Sequence, residues 1–119
     1  MARLRLRIVK TPQEPPWREV VLDPPGEYIL GRDPRVHLFI PDKYISRRHL
    51  RILYKNGKWM IEDLGSRNGT LLDDTQIQGK GPVELPSKGE LVVGLTVIEL
   101  EQLGGDKVEE GGKEEAKKG

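Results

Sequence analysis

Three short runs of residues hold the groups best able to do chemistry: Gly31-Arg32, Ser46-Arg47-Arg48-His49 and Ser66-Arg67-Asn68-Gly69. A guanidinium is planar and permanently charged, so it makes paired hydrogen bonds to an oxyanion, and a serine hydroxyl donates one more. Asparagine carries an acceptor and two donors on one short side chain, the set needed to hold an extended peptide main chain. Together these groups suit a ligand that is anionic and rich in hydrogen-bonding atoms.

Each run also has a plainer reading. Gly31-Arg32 alone is a turn glycine followed by a solvated arginine, and His49 alone reads as a hydrogen-bonded structural residue. Asn68-Gly69 is the dipeptide favoured in a tight hairpin turn. A catalytic reading makes Ser46 a nucleophile and His49 its base. It needs a third orienting residue and an oxyanion site, and the sequence identifies neither. No residue is therefore assigned as catalytic, and an enzyme is not expected. With His37 and His49 as the two histidines and no cysteine, thiolate chemistry is excluded and a zinc site is disfavoured. No metal or cofactor is expected.

Net charge is +1, too near neutrality for the whole molecule to act as a polyanion binder. Between Arg32 and Arg67, however, nine cations face four carboxylates. This imbalance supports an alternative reading, a nucleic-acid-binding β domain using the Arg/Lys patch between residues 32 and 67. Aromatic residues are only 5% of the chain and fall mostly in apolar strand contexts, where they pack rather than stack on bases. Nucleic acid is accordingly not the expected partner. Arg3 to Ile8 alternates charged and aliphatic residues, unlike the continuous apolar run of a signal peptide, and nothing elsewhere is long enough to span a bilayer. The expectation is a cytoplasmic protein with no membrane partner.

The elements that must position the three runs follow from periodicity. Apolar residues recur every second position, and no stretch shows the helical stripe of i, i+3, i+4 and i+7. Strands are expected at 3–9, 17–22, 27–31, 36–40, 49–54, 58–63, 70–72, 75–78, 82–85, 90–93 and 96–103. Asn56-Gly57 suits a hairpin turn, and a further turn falls near Gly94. The fold class is all-β, a two-sheet antiparallel β-sandwich of about 10–11 short strands. Residues 1–103 form the expected domain. From Gly104 to Gly119 five acidic and four basic residues accompany Val108 and Ala116 as the only apolar ones, a composition that predicts a disordered charged tail.

Taken in order, Gly31-Arg32, Ser46 with His49 three residues on, and Asn68-Gly69 resemble the signature of the forkhead-associated (FHA) domain family. The resemblance covers roughly residues 3–103. It implies a non-catalytic module that binds phosphothreonine segments of partner proteins, downstream of a Ser/Thr kinase. Carried onto this chain, it implies that Arg32, Ser46 and Arg47 bind the phosphate and that Asn68 holds the peptide main chain, with Arg67 approaching peptide or phosphate. Gly31, His49 and Gly69 match positions that support the loops. Lys43, Tyr44 and the Gly94 turn are candidates for selecting the residue three places after the phosphothreonine. Thr11-Pro12, in a loop expected to be exposed, raises self-recognition of a phosphorylated Thr11.

Overall fold

A computed structural model describes residues 2–104, which form two facing β-sheets. In chain order the strands are β1 (Arg3–Lys10), β2 (Glu19–Leu22), β3 (Glu27–Gly31), β4 (Leu38–Phe39), β5 (Leu50–Lys55) and β6 (Lys58–Asp63). They continue with β7 (Thr70–Leu72), β8 (Thr75–Gln76), β9 (Val83–Glu84), β10 (Lys88–Val93) and β11 (Thr96–Leu103). One sheet has the order β2-β1-β11-β10-β7-β8, the other β4-β3-β5-β6-β9. No helix occurs among the described residues, so none is long and apolar enough to cross a membrane. The expected tail beyond Gly104 lies outside the described residues.

Period-two patterning decides which face each strand buries. In β1, Leu4, Leu6 and Ile8 enter the core, while Arg5 and Arg7 face outward and pair across the strand gap with Glu101 and Glu99. The opposing sheet contributes Leu30, Ile52, Trp59 and Ile61, all fully buried, and β10 and β11 add Leu91 and Ile98. Each such side chain contributes roughly 1.5–3 kcal/mol through removal of its surface from water.

Three expectations need correction. The strand expected at 36–40 shrinks to Leu38–Phe39, because Asp33 closes a turn by accepting the Arg35 and Val36 N–H groups at 3.0 and 3.1 Å. That short strand runs parallel to β3, pairing Leu30 with Leu38 and Gly31 with Phe39, whereas the other pairings are antiparallel. Trp17 lies outside β2, and its indole N–H donates to the Phe39 carbonyl at 2.9 Å, tying the β1–β2 connection to β4.

The Asn56-Gly57 turn is as expected, with φ of 53° and 77° in the β5–β6 hairpin. Asn68-Gly69 is not a hairpin turn. It lies in the β6–β7 connection, which carries the chain from one sheet to the other. The connections β3–β4, β4–β5, β6–β7 and β10–β11 meet at one end of the sandwich through the bonds described next.

Candidate functional site

Arg32 leaves the end of β3 where that strand is pressed against the β4–β5 loop. Its N–H donates to the Ser46 carbonyl at 3.0 Å, and the Asp33 N–H donates to the Arg47 carbonyl at 3.3 Å. The close approach explains Gly31: a Cβ there would stand 1.9 Å from the Arg47 carbonyl oxygen. The Arg32 side chain is aimed by one bond, from Nε–H to the Ile45 carbonyl at 2.9 Å. Its terminal nitrogens have no partner among the described residues.

Ser46 is set by His49. The Ser46 N–H donates to His49 Nδ1 at 2.9 Å, and His49 Nε2 lies 2.9 Å from the Gly69 carbonyl, to which it must donate. The ring is fully buried. Burial holds its pKa below the ordinary 6.5, against the opposing pull of the Gly69 carbonyl and of the Asp63 and Asp42 charges. Both nitrogens are committed to backbone groups, so the imidazole does not stand as a base for the Ser46 hydroxyl. That hydroxyl oxygen accepts the Arg67 N–H at 3.0 Å and keeps its own proton for a ligand.

The Asn68 loop is built on Asp63, a residue sequence reasoning did not single out. Its buried carboxylate accepts the Gly65 and Ser66 N–H groups and the Ser66 and Thr70 hydroxyls, at 2.9, 2.8, 2.6 and 2.7 Å. Desolvation pushes its pKa up, but these hydrogen bonds outweigh it, and the carboxyl sits below its ordinary value. Ser66 Oγ in turn accepts the Gly69 N–H at 2.9 Å. Gly69, at φ 82°, lies against the Gln76 side chain, and an added Cβ would come within 2.4 Å of it. Asn68 then reaches across to donate from Nδ2 to the Tyr44 carbonyl at 2.8 Å.

The result is one cleft of about 410 Å³, lined by Arg32, Lys43, Tyr44, Ile45, Ser46, Arg47, Arg67 and Asn68. Of the residues expected at a site, it unites Arg32, Ser46, Arg47, Arg67, Asn68, Lys43 and Tyr44. Gly31, His49 and Gly69 lie behind its walls. Gly94 is not in the cleft. Its φ is 56°, and a Cβ would fall 2.8 Å from Asp42 Oδ2 and 2.9 Å from Ile45, so its place is to let the β10–β11 turn sit on the β4–β5 loop.

Leu95 is the exposed residue of that turn, at 54%, and with Pro12, Gln13, Pro41, Lys43 and Tyr44 it lines a neighbouring recess of about 250 Å³. Asp42, also missed, is fully buried and accepts the Tyr44 and Leu95 N–H groups and the Thr96 hydroxyl at 2.9, 2.7 and 2.8 Å. The Thr11 hydroxyl meets that of Thr96 at 2.9 Å. Thr11 is thus half-buried and bonded inward rather than freely exposed as expected. A lone aspartate in a loop gives little sign of such a role, since two of its three partners, Leu95 and Thr96, lie more than fifty residues away.

This arrangement presents guanidinium, ammonium, hydroxyl and amide groups to one small volume, which is what an oxyanion on a peptide requires. Comparison with known proteins agrees in family. The FHA domain model matches residues 28–94, more than half of the chain, and the chain belongs to the FHA domain family. It is 39% identical over 72 residues to the FHA domain-containing protein FhaB of Mycolicibacterium smegmatis, covering 60% of this chain and 45% of that protein. It is 44% identical over 84 residues to the FHA domain-containing protein At4g14490 of Arabidopsis thaliana, covering 69% and 21%. The chain thus spans less than half the length of either curated relative.

Among solved structures, the FHA domain of an Arabidopsis thaliana hypothetical protein superposes with a TM-score of 0.77 at 33% identity, covering 88% of this chain and 89% of that one. The FHA domain of the CT664 protein of Chlamydia trachomatis gives 0.74 at 29% identity, covering 86% and 99%. A domain solved for a structural and functional analysis of phosphothreonine-dependent FHA domain interactions gives 0.70 at 25%, covering 83% and 95%.

Proposed function

We propose that this chain is a phosphothreonine-reading module that docks phosphothreonine segments of partner proteins after a Ser/Thr kinase has modified them. The observation that carries the reading is the convergence of Arg32, Ser46, Arg47, Arg67 and Asn68 on one cleft from three loops. Arg32, Arg47 and the Ser46 hydroxyl take the phosphate, and Asn68 and Arg67 take the peptide. Hydrogen bonds involving a charged partner contribute about 1.5–3 kcal/mol each, and an unmodified threonine forfeits several of them. After the ordering cost of a flexible peptide, affinity on the order of micromolar follows, which suits a reversible switch.

A binding rather than catalytic role is supported by His49, whose two nitrogens both serve backbone groups. A reader of kinase products shares a compartment with the kinase and its ATP, and we place the protein in the cytoplasm on that ground. Pairing within part of the patch weakens the nucleic-acid alternative, since three of its nine cations are held by carboxylates. Arg51 is held by Glu62 and Glu27, Arg35 by Asp33 and Lys58 by Glu84, while Trp59 is buried. Self-recognition of phosphorylated Thr11 conflicts with the inward bond of its hydroxyl to Thr96.

Titration with a degenerate phosphothreonine peptide library tests the reading. Wild type binds a subset that the unphosphorylated library does not supply, and Arg32→Ala loses that binding. Equal, weak signals from both proteins overturn it.

A further inference from the structure

The cleft carries more positive charge than one phosphate neutralises. Four of its lining residues are cations, Arg32, Lys43, Arg47 and Arg67, and none is a carboxylate. Elsewhere some surface cations are matched, as in the pairs of Arg18 with Glu14, Arg51 with Glu62 and Lys58 with Glu84, and others such as Lys10, Lys55 and Lys80 stand apart among the described residues. The cleft differs in gathering four around one volume. Among the described residues, none of the four cleft cations has a carboxylate oxygen within 4.0 Å. Asp33 bears on Arg47 through its charge. Hydrogen bonds to Arg35 occupy that carboxylate and, with lesser charge contributions, hold its pKa down to about 2.

A phosphothreonine brings about −1.5 to −2 charges at neutral pH, leaving roughly two of the four cations unmatched. Like charges gathered in one cleft repel, and a ligand that supplies further negative charge relieves the repulsion. Position tells which cations are left over. Arg32 and Arg47 belong to the two segments stitched by the Arg32–Ser46 and Asp33–Arg47 backbone bonds, around the Ser46 hydroxyl. Lys43 lies over the Tyr44 ring, 5.6 Å from its centre, and the Arg67 N–H donates to Ser46 Oγ at 3.0 Å. The Asn68-to-Tyr44 bond clips those two loop segments together, so Lys43 and Arg67 flank the same stretch of cleft.

We infer that the segment this cleft prefers carries a second oxyanion within two residues of its phosphothreonine, held by Lys43 and Arg67. The inference rests on the phosphothreonine reading and names more of the ligand's chemistry. Extended chain advances about 3.3 Å per residue, so a group up to two residues away stays within reach of a long cationic side chain. A carboxylate or a second phosphate supplies the same chemistry.

Calorimetric titration at fixed ionic strength compares three peptide sets: phosphothreonine with neutral flanks, the same with one glutamate, and the same with one phosphoserine, the added group being moved from −2 to +2. At the best position glutamate tightens binding roughly threefold and phosphoserine roughly tenfold. Gain from glutamate identifies an acidic flank as sufficient, and gain from phosphoserine alone identifies a doubly phosphorylated segment. In the Lys43→Ala/Arg67→Gln double variant the ratio of doubly to singly charged affinity falls to about one. A gain that is the same at every position, or that survives in the double variant, overturns the inference. So does the absence of any gain while the neutral-flanked peptide still binds, which leaves the phosphothreonine reading standing. Failure of every peptide to bind overturns both.

Discussion

The Ser46 N–H donates to Nδ1 of His49 at 2.9 Å, and the other ring nitrogen reaches the Gly69 carbonyl at the same distance, so one neutral imidazole joins the loop of Ser46 to the loop of Asn68. Protonating that ring would replace the acceptor at Nδ1 with a second donor, opposed to the Ser46 N–H.

Acid should therefore loosen the molecule in a defined window. The pKa of His49 in the folded state is lowered from 6.5, chiefly by burial. Below that value the unfolded chain takes a proton that the folded chain resists, so the contribution of His49 to stability is complete above about 6.5 and declines as pH falls toward its folded pKa. Asp63 acts in the same direction further down, its contribution declining below its ordinary 3.8. Urea unfolding at pH 7.5 and pH 5 checks this: wild type loses stability between them, and His49→Gln, though less stable at pH 7.5, loses less. Equal losses in both proteins would remove His49 as the cause.

Gly31→Ala should be costly for a reason of space. Its Cβ would meet the Arg47 carbonyl at 1.9 Å, and that oxygen is backbone held by the Asp33 N–H. A cost of about 2–3 kcal/mol follows from forced displacement at a packed position. Gly57→Ala is the comparison, since its Cβ meets nothing within 4 Å and only its φ of 77° is strained, at about 1–2 kcal/mol. Denaturation midpoints with the order reversed would contradict the crowding at Gly31.

Asp63→Asn exchanges a four-fold acceptor for a group with one acceptor oxygen and a donor amide. Two of the four bonds, those to Oδ1 or those to Oδ2, must then face a donor. A loss of about 2–4 kcal/mol is expected on unfolding in urea. Phosphopeptide affinity should fall with it, because the same carboxylate shapes the loop of Asn68. An effect under about 0.5 kcal/mol, ordinary for a surface substitution, would contradict its role as the hub.

Ser46→Ala removes the acceptor for the Arg67 N–H and, under the proposed reading, one donor to the phosphate. Affinity for a phosphothreonine peptide should drop roughly tenfold, the value of a single charge-assisted bond. Calorimetry gives the affinity, and a thermal melt separates it from folding, since Ser46 is only half-buried.

The alternation of apolar residues places β3, β6, β7 and β11 within their observed bounds, because each buries one face against the opposite sheet. It fails at Val36, where a local turn on Asp33 outcompetes the strand. Parallel pairing of β4 with β3 has no signature in two residues. At the site, the residue types lining the cleft are visible because charge and short polar groups stand out against a β pattern. Asp42 and Leu95 are not, since what they do depends on partners brought together only by the two-sheet topology. Asp63, whose carboxylate finds its hydrogen-bond partners all within seven residues, is hidden because an aspartate at a strand end carries no pattern of its own. Asn68-Gly69 misleads when read locally: its glycine does take positive φ, but to cross between sheets rather than to close a hairpin.

The most direct test of the central claim follows backbone amide shifts while a phosphothreonine peptide is titrated into the isotopically labelled protein. The largest saturable shifts should fall on Arg32, Ser46, Arg47, Arg67 and Asn68 together, and the unphosphorylated peptide should leave them in place. Shifts centred instead on Arg51, Lys55 and Lys58, the basic residues beside the β5–β6 hairpin, or identical maps with and without phosphate, would contradict it.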